Sequence, residues 1–217
     1  TPLCLALIRE RTEKVQSVLS AAKAHSDDLL KDMLTHSFTG VDGKEYTPLH
    51  YAIHYKRQNP VQALLTAAKD QPALVKEMLT TTFKEYGIEY SPLHLAMKWG
   101  EIESVNALLA AAKDHSDDLL QEMLTTKLIT DDGTEYTTLH FAIIYGYVRT
   151  EIVKALLAAA KDHSDDLLKD MLTTTFKEYG IGCTPLYYAI SYRKTEIVTA
   201  LLAAAKDHSD DLLKDML

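Results

Sequence analysis

The sequence predicts a mainly α-helical solenoid of helix–helix–helix units with short β-hairpins along one edge. Three observations carry this. The string Ala-Ala-Ala-Lys-Asp-His-Ser-Asp-Asp-Leu-Leu occurs at 110–120, 158–168 and 203–213, with a close copy at 21–30 and a divergent one at 67–75. A second marker, Thr/Ser-Pro-Leu or Thr-Thr-Leu, begins at Thr1, Thr47, Ser91, Thr137 and Thr184, at intervals of 46, 44, 46 and 47 residues. Between the markers, apolar residues recur at helical spacing and Gly-containing turns interrupt them. The chain reads as a single repeat domain, 1–217, of five units starting near 1, 47, 91, 137 and 184, with both ends expected to be cut from a longer array.

The elements of one unit follow in order from Asp132. Asp132-Gly133 predicts a two-residue hairpin turn, because both positions tolerate positive φ; Asp42-Gly43 repeats it, and Tyr86-Gly87 and Tyr179-Gly180 vary it. Three residues after each Gly stands Tyr46, Tyr90, Tyr136 or Cys183. A short first helix then opens, with Thr or Ser as cap and usually Pro at its first position; Leu139, Ala142 and Ile143 fit its inward face. Thr150 reads as the cap of a second helix, with Glu151 in its first turn and Ile152, Val153, Leu156 and Leu157 forming one apolar stripe. Ser164 reads as a further cap, with Asp165 and Asp166 well placed at a helix N-terminus and Leu167, Leu168, Met171 and Leu172 on a single face. This third helix ends at Thr173–Phe176, which returns the chain to an extended form.

Composition narrows the function. Lys and Arg number 23 against 31 Asp and Glu, a net charge of −8 that repels phosphate backbones and argues against nucleic acid as a partner. The longest apolar runs, such as 3–8, are too short to span a bilayer, so no membrane insertion is expected. Cys4 and Cys183, far apart and in different units, suit a reducing compartment and supply neither a disulfide framework nor a metal pair.

At Thr47-Pro48-Leu49-His50-Tyr51-Ala52 and Ser91-Pro92-Leu93-His94-Leu95-Ala96 the chain resembles ankyrin repeats; Gly100-Glu101-Ile102 and 151–157 extend the likeness. The units are about 13 residues longer than the 33 of that family, and the acidic cap and stripe at 164–172 place the surplus in the third helix. The Gly expected after the first helix survives at Gly100 and Gly146, while Glu10, Lys56 and Arg193 replace it elsewhere. The resemblance implies a non-catalytic scaffold that binds another protein, without cofactor or metal. No nucleophile elbow, phosphate-cradling loop or Cys–His neighbourhood opposes this. It further implies an intracellular setting: the cytoplasm, or a host cytoplasm for a bacterial effector.

The resemblance makes His50, His94 and His140 structural, hydrogen-bonded near the helix start. His25, His115, His163 and His208 recur once per repeat and read as helix-end contacts rather than ligands of one ion. The paired acids 27–28, 117–118, 165–166 and 210–211 suit the helix dipole and lack a calcium loop around them. By resemblance, two columns face the concave groove in which such arrays grip partners. One runs Arg9, Tyr55, Trp99, Tyr145 and Tyr192; the other includes His54 and Lys98, and Tyr46, Tyr90 and Tyr136 join them from the hairpins. These rings are either binding hot spots or a stack that stiffens the array. Tyr51, Phe141, Tyr188, Phe38, Phe83 and Phe176 are expected in the core. Two other roles stand beside partner binding: a spacer or assembly element, and the targeting arm of a larger enzyme. The near-uniform third helix against variable groove columns favours binding. End faces without a polar outer surface are expected to self-associate end to end.

Overall fold

A computed structural model describes residues 1–144, 150–178, 181–206 and 210–216. The expectations placed on Tyr145, Gly146, the Tyr179-Gly180 turn and His208 lie outside them. The first repeat holds α1 (Pro2–Ile8), α2 (Thr12–His25) and α3 (Asp27–Thr35). A hairpin of β1 (Phe38–Thr39) and β2 (Glu45–Tyr46) leads to α4 (Pro48–His54), α5 (Gln58–Ala68) and α6 (Pro72–Thr80). The next hairpin, β3 (Phe83–Glu85) and β4 (Ile88–Tyr90), precedes α7 (Pro92–Lys98), α8 (Ile102–His115) and α9 (Asp117–Thr125). Then come β5 (Leu128–Ile129), β6 (Glu135–Tyr136), α10 (Thr138–Ile144), α11 (Thr150–His163) and α12 (Asp165–Thr173). The last unit has β7 (Phe176–Glu178), β8 (Ile181–Cys183), α13 (Pro185–Ser191), α14 (Thr195–Lys206) and α15 (Asp210–Asp215).

First helices pack on first helices, second on second, so that α1, α4, α7, α10 and α13 form one row and α2, α5, α8, α11 and α14 another. The third helix is present as expected. In three units a cap fixes its start: the Oγ of Ser26, Ser116 and Ser164 each accepts from the backbone three residues on, at 3.1 Å, while α6 opens on Pro72 without a side-chain cap. The stripe it presents, Leu167, Leu168, Met171 and Leu172 in the fourth unit, is buried.

Two local expectations are corrected. Asp42-Gly43 and Asp132-Gly133 are not two-residue turns. In each, the Gly amide donates to the carbonyl three residues back (Gly43 to Gly40, 3.1 Å; Gly133 to Thr130, 2.8 Å), and the two-residue strands stop short of the turn. The Gly, at φ near +80°, follows the turn instead of forming its second corner. Tyr86-Gly87 has the two-residue form, with φ +50° and +81° and Glu85 opposite Ile88, and β7 and β8 pair in the same register, Glu178 opposite Ile181. Nor does Thr150 cap α11: it is the helix's first residue, and its hydroxyl donates to Glu196 of the next repeat at 2.9 Å. The equivalent helices α2, α5 and α8 likewise begin without a side-chain cap.

The bend between first and second helices is left-handed in the described repeats, at Glu10 (φ +58°), Lys56 (+57°), Gly100 (+67°) and Arg193 (+55°). A side chain there costs on the order of 1 kcal/mol relative to Gly. Two of these side chains reach the following repeat: Glu10 pairs with Arg57, and Lys56 donates to the Trp99 carbonyl at 3.1 Å. Lys23–Asp70 (2.7 Å), Lys31–Glu77 (3.1 Å), Lys76–Glu122 (3.0 Å) and Lys113–Asp162 (3.0 Å) bridge neighbouring units along the second and third helices. These pairs are exposed, so each contributes little; the apolar stripes hold the units together. The outermost repeats show this. Leu5 and Ile190 are each 53% exposed, while their inner equivalents Tyr51 and Ile143 are buried against a neighbour.

Candidate functional site

The columns read from the sequence sit at the ends of the first-helix row. Tyr55, Trp99 and Tyr192 are the C-cap residues of α4, α7 and α13, so stacking those helices aligns the three rings. Their exposure differs. Tyr192 is 51% exposed and stacks on Tyr188 with ring centroids 4.6 Å apart. Tyr55 and Trp99 are half-buried. Tyr55 lies 4.4 Å from the Tyr51 ring, and Trp99 receives the His54 ring edge-on at 5.1 Å. His54 is also half-buried, and burial lowers its pKa below the ordinary histidine value.

Tyr46 and Tyr90 are not accessible groove residues. Tyr46 is 1% exposed, stacked on Phe83 at 4.6 Å, and its hydroxyl donates to Asp42 at 2.8 Å. Burial and that carboxylate together raise its pKa. Tyr90 is 4% exposed, with the Lys98 ammonium 4.1 Å above its ring. The physical reason is common to both. Each stands on the closing strand of a hairpin, β2 or β4, opposite Phe38 or Phe83, and that pleat face points into the stack. Tyr136, in the same position of the third hairpin, is half-buried, with Phe176 4.9 Å away. The expected core rings are buried, except that Phe38 is half-buried.

Lys98 is drawn into a cluster that sequence reasoning missed. The carboxylate of Glu85, on β3, is buried, yet it receives Lys98 Nζ at 2.7 Å and Lys44 Nζ from the preceding hairpin. Burial would raise the Glu85 pKa; hydrogen bonds from the two ammonium groups outweigh it and hold the carboxyl below its ordinary value. Lys44 also lies 5.1 Å from the Tyr86 ring at the hairpin tip. One signal was available, since Phe-Lys-Glu-Tyr-Gly occurs twice, at 83–87 and 176–180. Replacing Glu85 by Gln should destabilise the fold by about 1–3 kcal/mol, because part-buried Lys98 loses its carboxylate and Lys44 keeps only the longer pair with Asp42 at 3.7 Å. Urea melts at low and high salt test this; a loss that salt leaves unchanged would argue against the ionic account.

The histidines of the repeated motif are structural in geometry. Nδ1 of His50, His94 and His140 lies 2.7 Å from the hydroxyl of Thr47, Ser91 and Thr137. Burial lowers each pKa to about 4, so all three rings are neutral at physiological pH. His115 and His163, at the ends of α8 and α11, contact the Ser that caps the next helix at 3.2 Å, and His115 Nε2 also lies 2.6 Å from the Pro72 carbonyl. Among the described residues no three His, Cys, Asp or Glu gather as metal ligands, and no helix is long and apolar enough to cross a membrane.

Comparison with known proteins agrees with the fold. A family model described as ankyrin repeats, three copies, matches residues 18–117 and 108–211. No curated protein matches the sequence significantly. Among solved structures, the ankyrin repeat domain of Bcl-3, a member of the IkappaB protein family, superposes with a TM-score of 0.56 at 19% identity, covering 94% of this chain and 71% of that one. EF0377, an ankyrin repeat protein, covers 93% of this chain and 96% of its own at a TM-score of 0.42 and 21% identity. Ankyrin repeats are in general protein–protein interaction modules, typically without catalytic activity. With the family model matching most of its length, this chain belongs to the ankyrin repeat family, in a form whose units each carry a third helix.

Proposed function

We propose that the array binds a partner protein along the row of first-helix ends, with Tyr55, Trp99 and Tyr192 as the contact rings and His54 and Lys98 beside them. The supporting observation is the alignment: the C-cap positions of α4, α7 and α13 each carry an aromatic side chain that keeps part of its surface in solvent, while that of α1 carries Arg9. Rigid rings lose little entropy on binding, so they are efficient anchors. Tyr145 fills the same slot in sequence and belongs to the proposal on that ground alone. Tyr136 borders the row, while the buried Tyr46 and Tyr90 support it from beneath. The net charge of −8 favours a protein partner over nucleic acid, and the free thiols of Cys4 and Cys183 suit an intracellular site.

The test uses Tyr55→Ala with Tyr192→Ala, the two rings least tied into the cluster around Glu85. Affinity capture from lysate with mass spectrometry identifies the partner, and titration then gives its Kd. The double variant should bind at least roughly thirtyfold more weakly, with its melting midpoint close to that of the parent. Asp165→Ala with Asp166→Ala, on α12, is the control. If the aromatic pair lowers the melting midpoint and leaves capture intact, the rings serve the fold. If the acidic pair abolishes capture, the binding face lies on the third helices.

A further inference from the structure

The chain holds five arginines, Arg9, Arg11, Arg57, Arg149 and Arg193, and each stands in the sequence between a first helix and the second helix that follows it. Elsewhere the chain uses lysine. The residue immediately before the second helix is the clearest case: it is Arg11, Arg57, Glu101, Arg149 and Lys194 in successive units. The slots are equivalent, since the amides of Arg11, Arg57, Glu101 and Lys194 each donate to the alanine carbonyl five residues back, at 2.7–3.0 Å. Each of these residues also lies two beyond the C-cap slot that carries Tyr55, Trp99 and Tyr192. Successive bends adjoin: Glu10 pairs with Arg57, and Lys56 donates to the Trp99 carbonyl at 3.1 Å and lies 3.9 Å from Glu101.

The fold does not ask for cations in that slot. The start of a helix is the positive end of its dipole, so an acid is favoured there and a cation disfavoured. Glu13, Glu103 and Glu196 in the first turns of α2, α8 and α14 follow that rule, and the slot before them breaks it. Ion pairing within the chain does not account for it either. Arg57 is paired with Glu10, but among the described residues Arg9, Arg11, Arg193 and Lys194 have no carboxylate within ion-pair distance. Arg9, Arg11, Lys56 and Arg193 are exposed, and Lys194 is half-buried. The choice of arginine over lysine also points outward. A guanidinium meets a carboxylate through two parallel hydrogen bonds and lies flat on aromatic rings, which an ammonium cannot do. A chain of net charge −8 that gathers its arginines beside a row of rings offers that edge to an opposite charge.

We propose that the protein segment seated on the aromatic row is acidic, its aspartate or glutamate carboxylates pairing with Arg9, Arg11, Lys56, Arg193 and Lys194. The inference rests on that row as the binding face and adds the partner's charge. The full chain, labelled with ¹⁵N, is titrated with a capped peptide of alternating Glu and Gly that spans about 40 Å when extended, and separately with its lysine and glutamine counterparts. The glutamate peptide should shift the amides of Arg11, Arg57 and Lys194 saturably, and the other two should not. Raising salt from about 50 to about 300 mM should weaken the response. Arg11→Glu with Lys194→Glu, the residue the third unit carries in that slot, should weaken binding at least roughly tenfold. The melting midpoint of that variant should equal the parent's or exceed it. A lowered midpoint with unchanged binding would assign the cations to the fold and overturn the proposal. So would equal shifts from all three peptides, or tighter binding of an oligothymidine of equal length, which would make the edge a nucleic-acid surface. The two readings fail separately. If Tyr55→Ala with Tyr192→Ala loses the captured partner while the glutamate peptide leaves the bends unmoved, the acidic partner alone is refuted. If the peptide binds the bends while that tyrosine variant keeps its captured partner, the aromatic row alone is refuted.

Discussion

Acidification from about pH 7.5 to about pH 5 is expected to remove roughly 5–6 kcal/mol of folding stability. The origin is the row of neutral imidazoles. His50, His94 and His140 have pKa values near 4 in the fold and an ordinary value of 6.5 when exposed. The sign follows from which state takes protons first. Above pH 6.5 neither state binds them and the stability is fully present; between 6.5 and 4 the unfolded chain is protonated and the folded one is not. Stability therefore falls as pH drops through that window, by about 2 kcal/mol per histidine at pH 5, and levels off below 4. The half-buried His54 contributes with the same sign. Glu85, whose pKa is lowered, loses its contribution only at more acid pH, so the window belongs to the histidines. Urea melts at several pH values measure the slope. His94→Gln should reduce that slope by about a third; a stability flat from pH 7 to pH 5 would mean the rings are not buried as described.

Leu156→Ala should cost about 2–5 kcal/mol, and Leu213→Ala distinctly less. Leu156, on α11, is fully buried in the second-helix row, with α8 on one side and α14 on the other. The cavity would open at the centre of the array, where two interfaces share the loss. Leu213, on α15, is half-buried in the outermost unit. In a linear array each unit's stability is its own plus that of its neighbours, so a central defect uncouples both sides. Denaturant midpoints of the two variants compare the effects. Equal losses at both positions would contradict a nearest-neighbour solenoid.

Much of the fold was legible because several signals coincided in each unit. In four of the five units a Ser-Asp-Asp cap preceded a stripe of Leu and Met at helical spacing, and only a third helix satisfies both. The hairpin turns were less legible. Asp-Gly suits the corner of a two-residue turn and equally the end of a longer one; strand length decides, and two-residue strands leave no mark in a sequence. For the site, position was readable and exposure was not. Tyr46 and Tyr192 are the same residue type near the same row, yet one is stacked on Phe83 and the other keeps half its surface in solvent. The Glu85 cluster escaped notice because Lys44, Glu85 and Lys98 come from three separate segments that only stacking brings together.

The charge ladder between neighbouring units bears on how the array can change length. The acidic slot that receives a lysine from the preceding unit is filled in all five: Asp32, Glu77, Glu122, Asp170 and Asp215. Lysine stands in the donating slot at Lys31, Lys76, Lys169 and Lys214, with Gln121 the exception. A junction in which any unit but the third supplies the donating slot thus brings opposite charges together, whichever unit follows it. Unequal crossing-over that deletes or duplicates one whole period would leave every new junction as well matched as the old. Recombination out of phase by a few residues would misalign the ladder and the apolar stripes together. The gene can therefore be lengthened or shortened in steps of about one unit without redesign of any interface.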